Sequence, residues 1–188
     1  MTLPTAAFNR VLGEYRAYLE TLTFIQVDPR LLSKFSISDI IQKTLLEAWE
    51  EIARMEALDD DSRKLKLRKM LIHNLLDEID HWRNRGHDVN REQVPGTAAD
   101  ESKWRLEEWA AAEETPPLER LAKVDDKLRL LEALSKIDPR QREALILQKY
   151  HGWKLVQIAK YMGCTTGAVA GLHSRGLKEL RKLLPDLE

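Results

Sequence analysis

One cysteine in 188 residues leaves the chain unable to close an internal disulfide, which suits a reducing compartment. Its 7 prolines and 8 glycines fall mostly between apolar runs, with no low-complexity stretch and no internal repeat. No apolar run approaches the roughly 18 residues of a membrane span. The start MTLPTAAFNRVLGEY has no basic segment followed by an apolar one, so no signal peptide is expected and a cytoplasmic location is. The five histidines (His73, His81, His87, His151 and His173) show no ligand spacing with acidic or cysteine partners. There is also no nucleophile elbow, no phosphate-binding glycine loop and no HExxH. Neither catalysis nor a metal or other cofactor is expected.

What the chain does have is charge in blocks, behind a net charge of −1. Residues 1–61 hold 6 basic and 11 acidic side chains, and residues 62–91 hold 8 and 4. Residues 92–135 return to 6 and 11, and residues 136–188 carry 10 and 5. Lysines and arginines that displace counterions supply most non-specific DNA affinity, so the two basic blocks are where phosphate contacts are expected. The acidic segment between them reads as a linker kept off DNA or shaped to a cationic partner.

Helical periodicity runs throughout, and no alternating strand pattern interrupts it. Phe8, Val11, Leu12, Tyr15, Leu19 and Leu22 keep the stride of a first helix. Ser38 and Asp39 offer capping side chains for a second, with Ile40, Ile41, Leu45, Trp49 and Ile52 among its apolar positions. After the acidic break Asp59–Asp61 comes a third helix, basic at its start and apolar along Leu67, Leu71, Leu75 and Ile79, with Gly86 closing the domain. A connector with Pro95, Pro116 and Pro117 and a short amphipathic stretch around Trp104, Leu106 and Trp109 leads to a helix from Leu118. Pro139 stands at the start of the next helix after the cap Asp138.

The last fifty residues bear the most specific pattern. Ala159, Gly163, Val169 and Leu172 follow the intervals 4, 6 and 3 of a helix-turn-helix. Ala159 lets a second helix pass close above it, and Gly163 suits a turn with positive φ. Val169 and Leu172 share the inner face of the following helix, which turns Ser174, Arg175 and Lys178 outward. A helix held this way is a common device for placing side chains in a DNA major groove.

The segment SDIIQKTLLEAWE (38–50) and the C-terminal block together resemble the extracytoplasmic-function (ECF) class of bacterial sigma factors in the sigma-70 family. That resemblance implies an all-α fold of two small helical domains joined by an acidic linker. Its parts would be region 2 over 6–86 (three to four helices), the linker over 87–124, and a region 4 helix-turn-helix over 125–186. It further implies a transcription initiation factor that binds core RNA polymerase at its clamp and flap, directs it to promoter DNA and assists opening. A stand-alone helix-turn-helix regulator and a sigma-like adaptor are the alternatives. An anti-sigma protein is a frequent partner in the family. Polymerase contacts would fall on Asp39, Ile40, Gln42, Lys43, Thr44 and Glu47. The minus-ten surface would comprise Lys66, Arg68, Lys69, His73, Asn74, Asp77, Arg83 and Arg85. The minus-thirty-five element would meet Thr165, Thr166, Ala170, Gly171, Ser174, Arg175 and Lys178. Two departures stand out: Lys66-Leu67 replaces a tryptophan-leucine pair, and Ala170-Gly171 replaces a basic residue and a serine.

Overall fold

A computed structural model describes residues 5–32, 34–85, 96–114 and 118–185, all of whose regular elements are α-helices. The expectations for Gly86, Pro95, Pro116 and Pro117, and for the side chains of Phe8, Val11, Leu12 and Arg85, lie outside the described residues. The chain divides into two compact units, 1–115 and 116–188.

The first unit contains α1 (Thr5–Gln26), α2 (Pro29–Leu32), α3 (Ile37–Glu50), α4 (Ile52–Glu56), α5 (Asp60–Arg85) and α6 (Gly96–Glu114). The stripe predicted from the four-residue stride is its spine: Leu67, Leu71, Leu75 and Ile79 are all fully buried. Helices α1, α3 and α6 pack on α5, and Ile41 of α3, Leu19 and Leu22 of α1, and Leu106 of α6 are likewise fully buried. The N-cap of α3 is Ser36 rather than Ser38 or Asp39, and its hydroxyl accepts from the Asp39 backbone N–H at 3.2 Å. Ser38 lies two residues later and accepts from Arg16 Nη2 at 2.7 Å.

Residues 96–114, within the segment expected to act as linker, form a helix that packs on α1, α2 and α5. The cause is a narrow small-residue and leucine side: Ala98, Ala99, Ser102 and Leu106 are buried, while Glu107, Glu108 and Trp104 face solvent. The Ser102 hydroxyl donates to the Ala98 carbonyl (2.8 Å) and accepts from the Asp28 backbone N–H (3.0 Å). Lys103 pairs with Asp80 at 2.8 Å.

The second unit contains α7 (Leu118–Lys136), α8 (Pro139–Lys149), α9 (Leu155–Tyr161) and α10 (Thr166–Leu183). Asp138 caps α8, accepting from the backbone N–H groups of Arg140 and Gln141 at 3.0 and 3.1 Å, with Pro139 in the first turn. Ala144, Leu147, Ile158, Ala159 and Val169 form the core beneath α10, rimmed by Trp153, Leu155, Met162, Cys164 and Leu172.

Candidate nucleic-acid interface

Helix α9 ends in a turn dictated by one glycine. Gly163 has φ +62°, and the Cys164 N–H reaches back to the Ala159 carbonyl at 3.0 Å. The Met162 N–H closes on Ile158 at 2.8 Å, so the Ile158 and Ala159 carbonyls near the end of α9 are satisfied while the chain reverses. Any residue with a Cβ would be strained at that φ. Thr165 then caps α10, its hydroxyl accepting from the Ala168 N–H at 3.1 Å. The capping hydroxyl is thereby committed to the helix start, although Thr165 is exposed.

Two glycines shape the faces of α10. At Gly176 a Cβ would stand 2.8 Å from Leu145 Cδ1 and 3.2 Å from Gln141 Cβ, so α8 and α10 cross with room for hydrogen only. This inward position was not singled out from the sequence; its signal is a glycine seven residues beyond Val169, on the buried face. Outward, Thr166, Ala170, Ser174, Arg175 and Lys178 are exposed and Gly171 is half-buried. Arg181 and Lys182, also exposed, extend the positive side through the last turn and were likewise missed, although they continue the three-to-four-residue stride from Lys178. His173, on the flank, is half-buried; burial, reinforced by Lys149, lowers its pKa and favours the neutral ring.

In the first unit the sequence-predicted residues separate into outward and inward groups. On α3, Asp39, Gln42 and Lys43 are exposed, Glu47 is half-buried, and Ile40 and Thr44 are buried. On α5, Lys69, His73, Asp77 and Arg83 are exposed, whereas Arg68 and Asn74 are buried. The Asn74 amide donates to Thr44 Oγ1 at 3.0 Å and to Glu47 Oε2 at 2.9 Å, tying α5 to α3. Lys66 binds Glu51, holding that carboxyl below its usual range, and Arg83 pairs with Asp100 of α6 at 3.2 Å. An open groove of about 460 Å³ between α3 and α5 is lined by Lys43, Asn74, Asp77, Glu78, Asp80 and His81, with Ile40 and Asn84. Its carboxylates disfavour a phosphate there. Among the described residues no cluster of His, Cys, Asp or Glu is arranged to hold a metal ion.

The short helix, the glycine turn and the exposed second helix define a domain of the helix-turn-helix class. Residues 127–180 match the family model described as sigma-70, region 4. The chain is 41% identical over 66 residues to "RNA polymerase sigma factor CarQ" of Myxococcus xanthus, a stretch covering 34% of this chain and 38% of that protein. It is 35% identical over 57 residues to "ECF RNA polymerase sigma factor BldN" of Streptomyces coelicolor, covering 30% of this chain and 22% of that protein. The matched stretches span less than half the length of either relative. Residues 127–180 are thus similar to sigma-70 region 4, and about a third of the chain is similar to RNA polymerase sigma factors, one of them named as ECF.

Proposed function

We propose that the protein is an ECF-type sigma factor acting in the cytoplasm: it binds core RNA polymerase, brings it to promoter DNA and assists opening. The observation that carries this is the exposed, positively flanked face of α10 on a domain matching sigma-70 region 4. Residues Thr166, Ala170, Gly171, Ser174, Arg175 and Lys178 would lie in the major groove at the minus-thirty-five element, with Thr165 at the helix start. Ala170 and Gly171 cannot hydrogen-bond a base edge and the Thr165 hydroxyl is used by the cap, so among the remaining polar residues Arg175 is the best candidate for a bidentate guanine contact and backbone contacts carry much of the remainder.

The first unit would supply region 2. Asp39, Gln42, Lys43 and Glu47 offer the polar docking face to the polymerase clamp, with Ile40 and Thr44 supporting it from below. Lys69, His73, Asp77 and Arg83, together with Lys66 and Arg85, would face the minus-ten element. Arg68 and Asn74 would hold that surface in place from the interior. Contact with the flap and control by an anti-sigma protein belong to the same proposal. Among the described residues no helix is long and apolar enough to cross a membrane.

The test is a titration of the full chain against bacterial core polymerase, followed by run-off transcription from fragmented genomic DNA. One-to-one binding with new discrete start sites is expected. Binding without initiation would instead make the chain a sigma-like adaptor. No binding, with a dimer protecting a palindrome, would make it a conventional helix-turn-helix regulator. Asp39→Arg should weaken core binding at least fivefold while costing the fold only about 0.3–1 kcal/mol from the helix dipole. Unchanged core affinity would remove α3 from the docking surface.

A further inference from the structure

Gly171 occupies a position where the common family pattern has a serine, yet its surroundings give it a task of its own. A Cβ built at Gly171 would meet Arg175 Nη1 at 3.2 Å, Nη2 at 3.8 Å and Cζ at 3.9 Å. The guanidinium one turn later therefore folds back along α10 and lies over the bare Cα of Gly171. The three atoms nearest that point all belong to Arg175. At Gly176, by contrast, the space is taken by α8, through Leu145 and Gln141. Gly176 admits a neighbouring helix, whereas Gly171 admits a side chain of its own helix.

We propose that Gly171 is a positioning residue for DNA reading: its missing side chain lets the Arg175 guanidinium bring its Nη1 edge in over residue 171 on the exposed face of α10, and so sets which base pair that fork can reach. This rests on the DNA-reading role assigned to α10 above. Arginine has a planar fork of donors, and bidentate contact with a guanine edge depends on the direction in which that plane is presented. Any residue with a Cβ at 171 displaces the tip by a few tenths of an ångström or swings it to another rotamer, since the tip is the flexible end. Ala170, which is exposed with a single methyl, leaves the neighbouring surface low. At 170–171 the exposed face therefore carries little besides the tip of Arg175. The sparse side-chain complement of 170–171 becomes a specificity device, in which one base contact is aimed by the absence of competitors.

The test is a double-mutant cycle on the full chain bound to core polymerase, using the duplex it selects from a randomised library. Gly171→Ala should weaken binding to that duplex roughly fivefold or more and flatten preference at one G·C pair. On an Arg175→Ala background the same substitution should change affinity by less than about 1.5-fold. Equal losses in both backgrounds, or no loss in either, would overturn the proposal. A measurement that needs no DNA accompanies it: a nuclear Overhauser contact between the Arg175 side chain and the Gly171 Hα protons in the labelled full chain. Its absence would overturn the seating of the guanidinium whatever the DNA result. Failure to select any duplex, with the contact present and lost in Gly171→Ala, would count against DNA reading and spare the seating.

Discussion

The two basic blocks of this chain are almost equal in charge and quite different in use. In α5 the positive groups are largely turned to internal work. Arg63 donates to the carbonyls of Met55 (3.0 Å) and Leu58 (2.7 Å) and to the Tyr15 hydroxyl (3.1 Å). Lys64 pairs with Asp60, Lys66 with Glu51 and Arg83 with Asp100, while Arg68 is buried. Among the described lysines and arginines of α5, Lys69 alone is exposed and outside any ion pair. In α10 the charges stand out: Arg175, Lys178, Arg181 and Lys182 are all exposed. A count along the sequence gives a field only after side chains already engaged by the fold have been subtracted. For α5 that subtraction removes most of the block.

The comparison can be broken most directly by deleting one arginine from each helix. Arg63→Ala should destabilise the chain by about 2–3 kcal/mol, because the carbonyl of Met55 at the end of α4 and that of Leu58 beyond it lose a charged donor. Arg175→Ala should change stability by less than about 0.5 kcal/mol, as expected of a surface residue away from packing. Urea unfolding of the two variants checks both, and equal losses would erase the distinction. A smaller effect separates the two glycines of α10. Gly176→Ala should cost about 1 kcal/mol net, overpacking against Leu145 and Gln141 exceeding the gain in helix propensity. Gly171→Ala, whose only obstacle is a movable guanidinium, should instead raise the unfolding midpoint. If both substitutions shift stability in the same direction, the inward and outward roles have been misassigned.

The smallest effect concerns pH. Burial, the dominant cause, pushes the Glu143 carboxyl above its ordinary range, against opposing contributions from Arg140, Arg142 and the Tyr161 hydroxyl. The folded state then holds this proton more tightly than the unfolded chain does. Its contribution to stability therefore falls as pH rises from the ordinary glutamate value through the raised one. Glu143→Gln should remove that slope, measured as unfolding midpoints across mildly acidic pH. A variant with the same slope would assign it to another group.

Periodicity made much of the fold legible. The Leu67–Ile79 stripe, Pro139 after Asp138, and Gly163 with its positive φ all stand where spacing placed them. What stayed hidden depended on contacts far apart in sequence. The α3 cap lies two residues earlier than expected: the helix starts at Ile37, and Ser38, inside its first turn, instead accepts from Arg16, 22 positions away. The packed part of α6 escaped notice because its buried side is made of Ala98, Ala99 and Ser102 and has only one large apolar residue, Leu106. The candidate site was legible in kind but not in orientation. Asn74 and Arg68 carry the right chemistry for a DNA surface, yet both point inward, and nothing in a single sequence distinguishes a polar face from a buried polar bond.

The bond from Asn74 to Thr44 and Glu47 has a consequence for how α5 finds its place. Leu67, Leu71, Leu75 and Ile79 form a ruler with nearly identical marks every four residues. Sliding α5 by one mark, about 6 Å along its axis, would set leucine on leucine again and leave the apolar match almost intact. At that mark the groups facing Thr44 would be Met70 or Glu78, neither of which can donate as an amide does. One asparagine therefore breaks the translational degeneracy of the stripe, and the helix can lock in a single register instead of several.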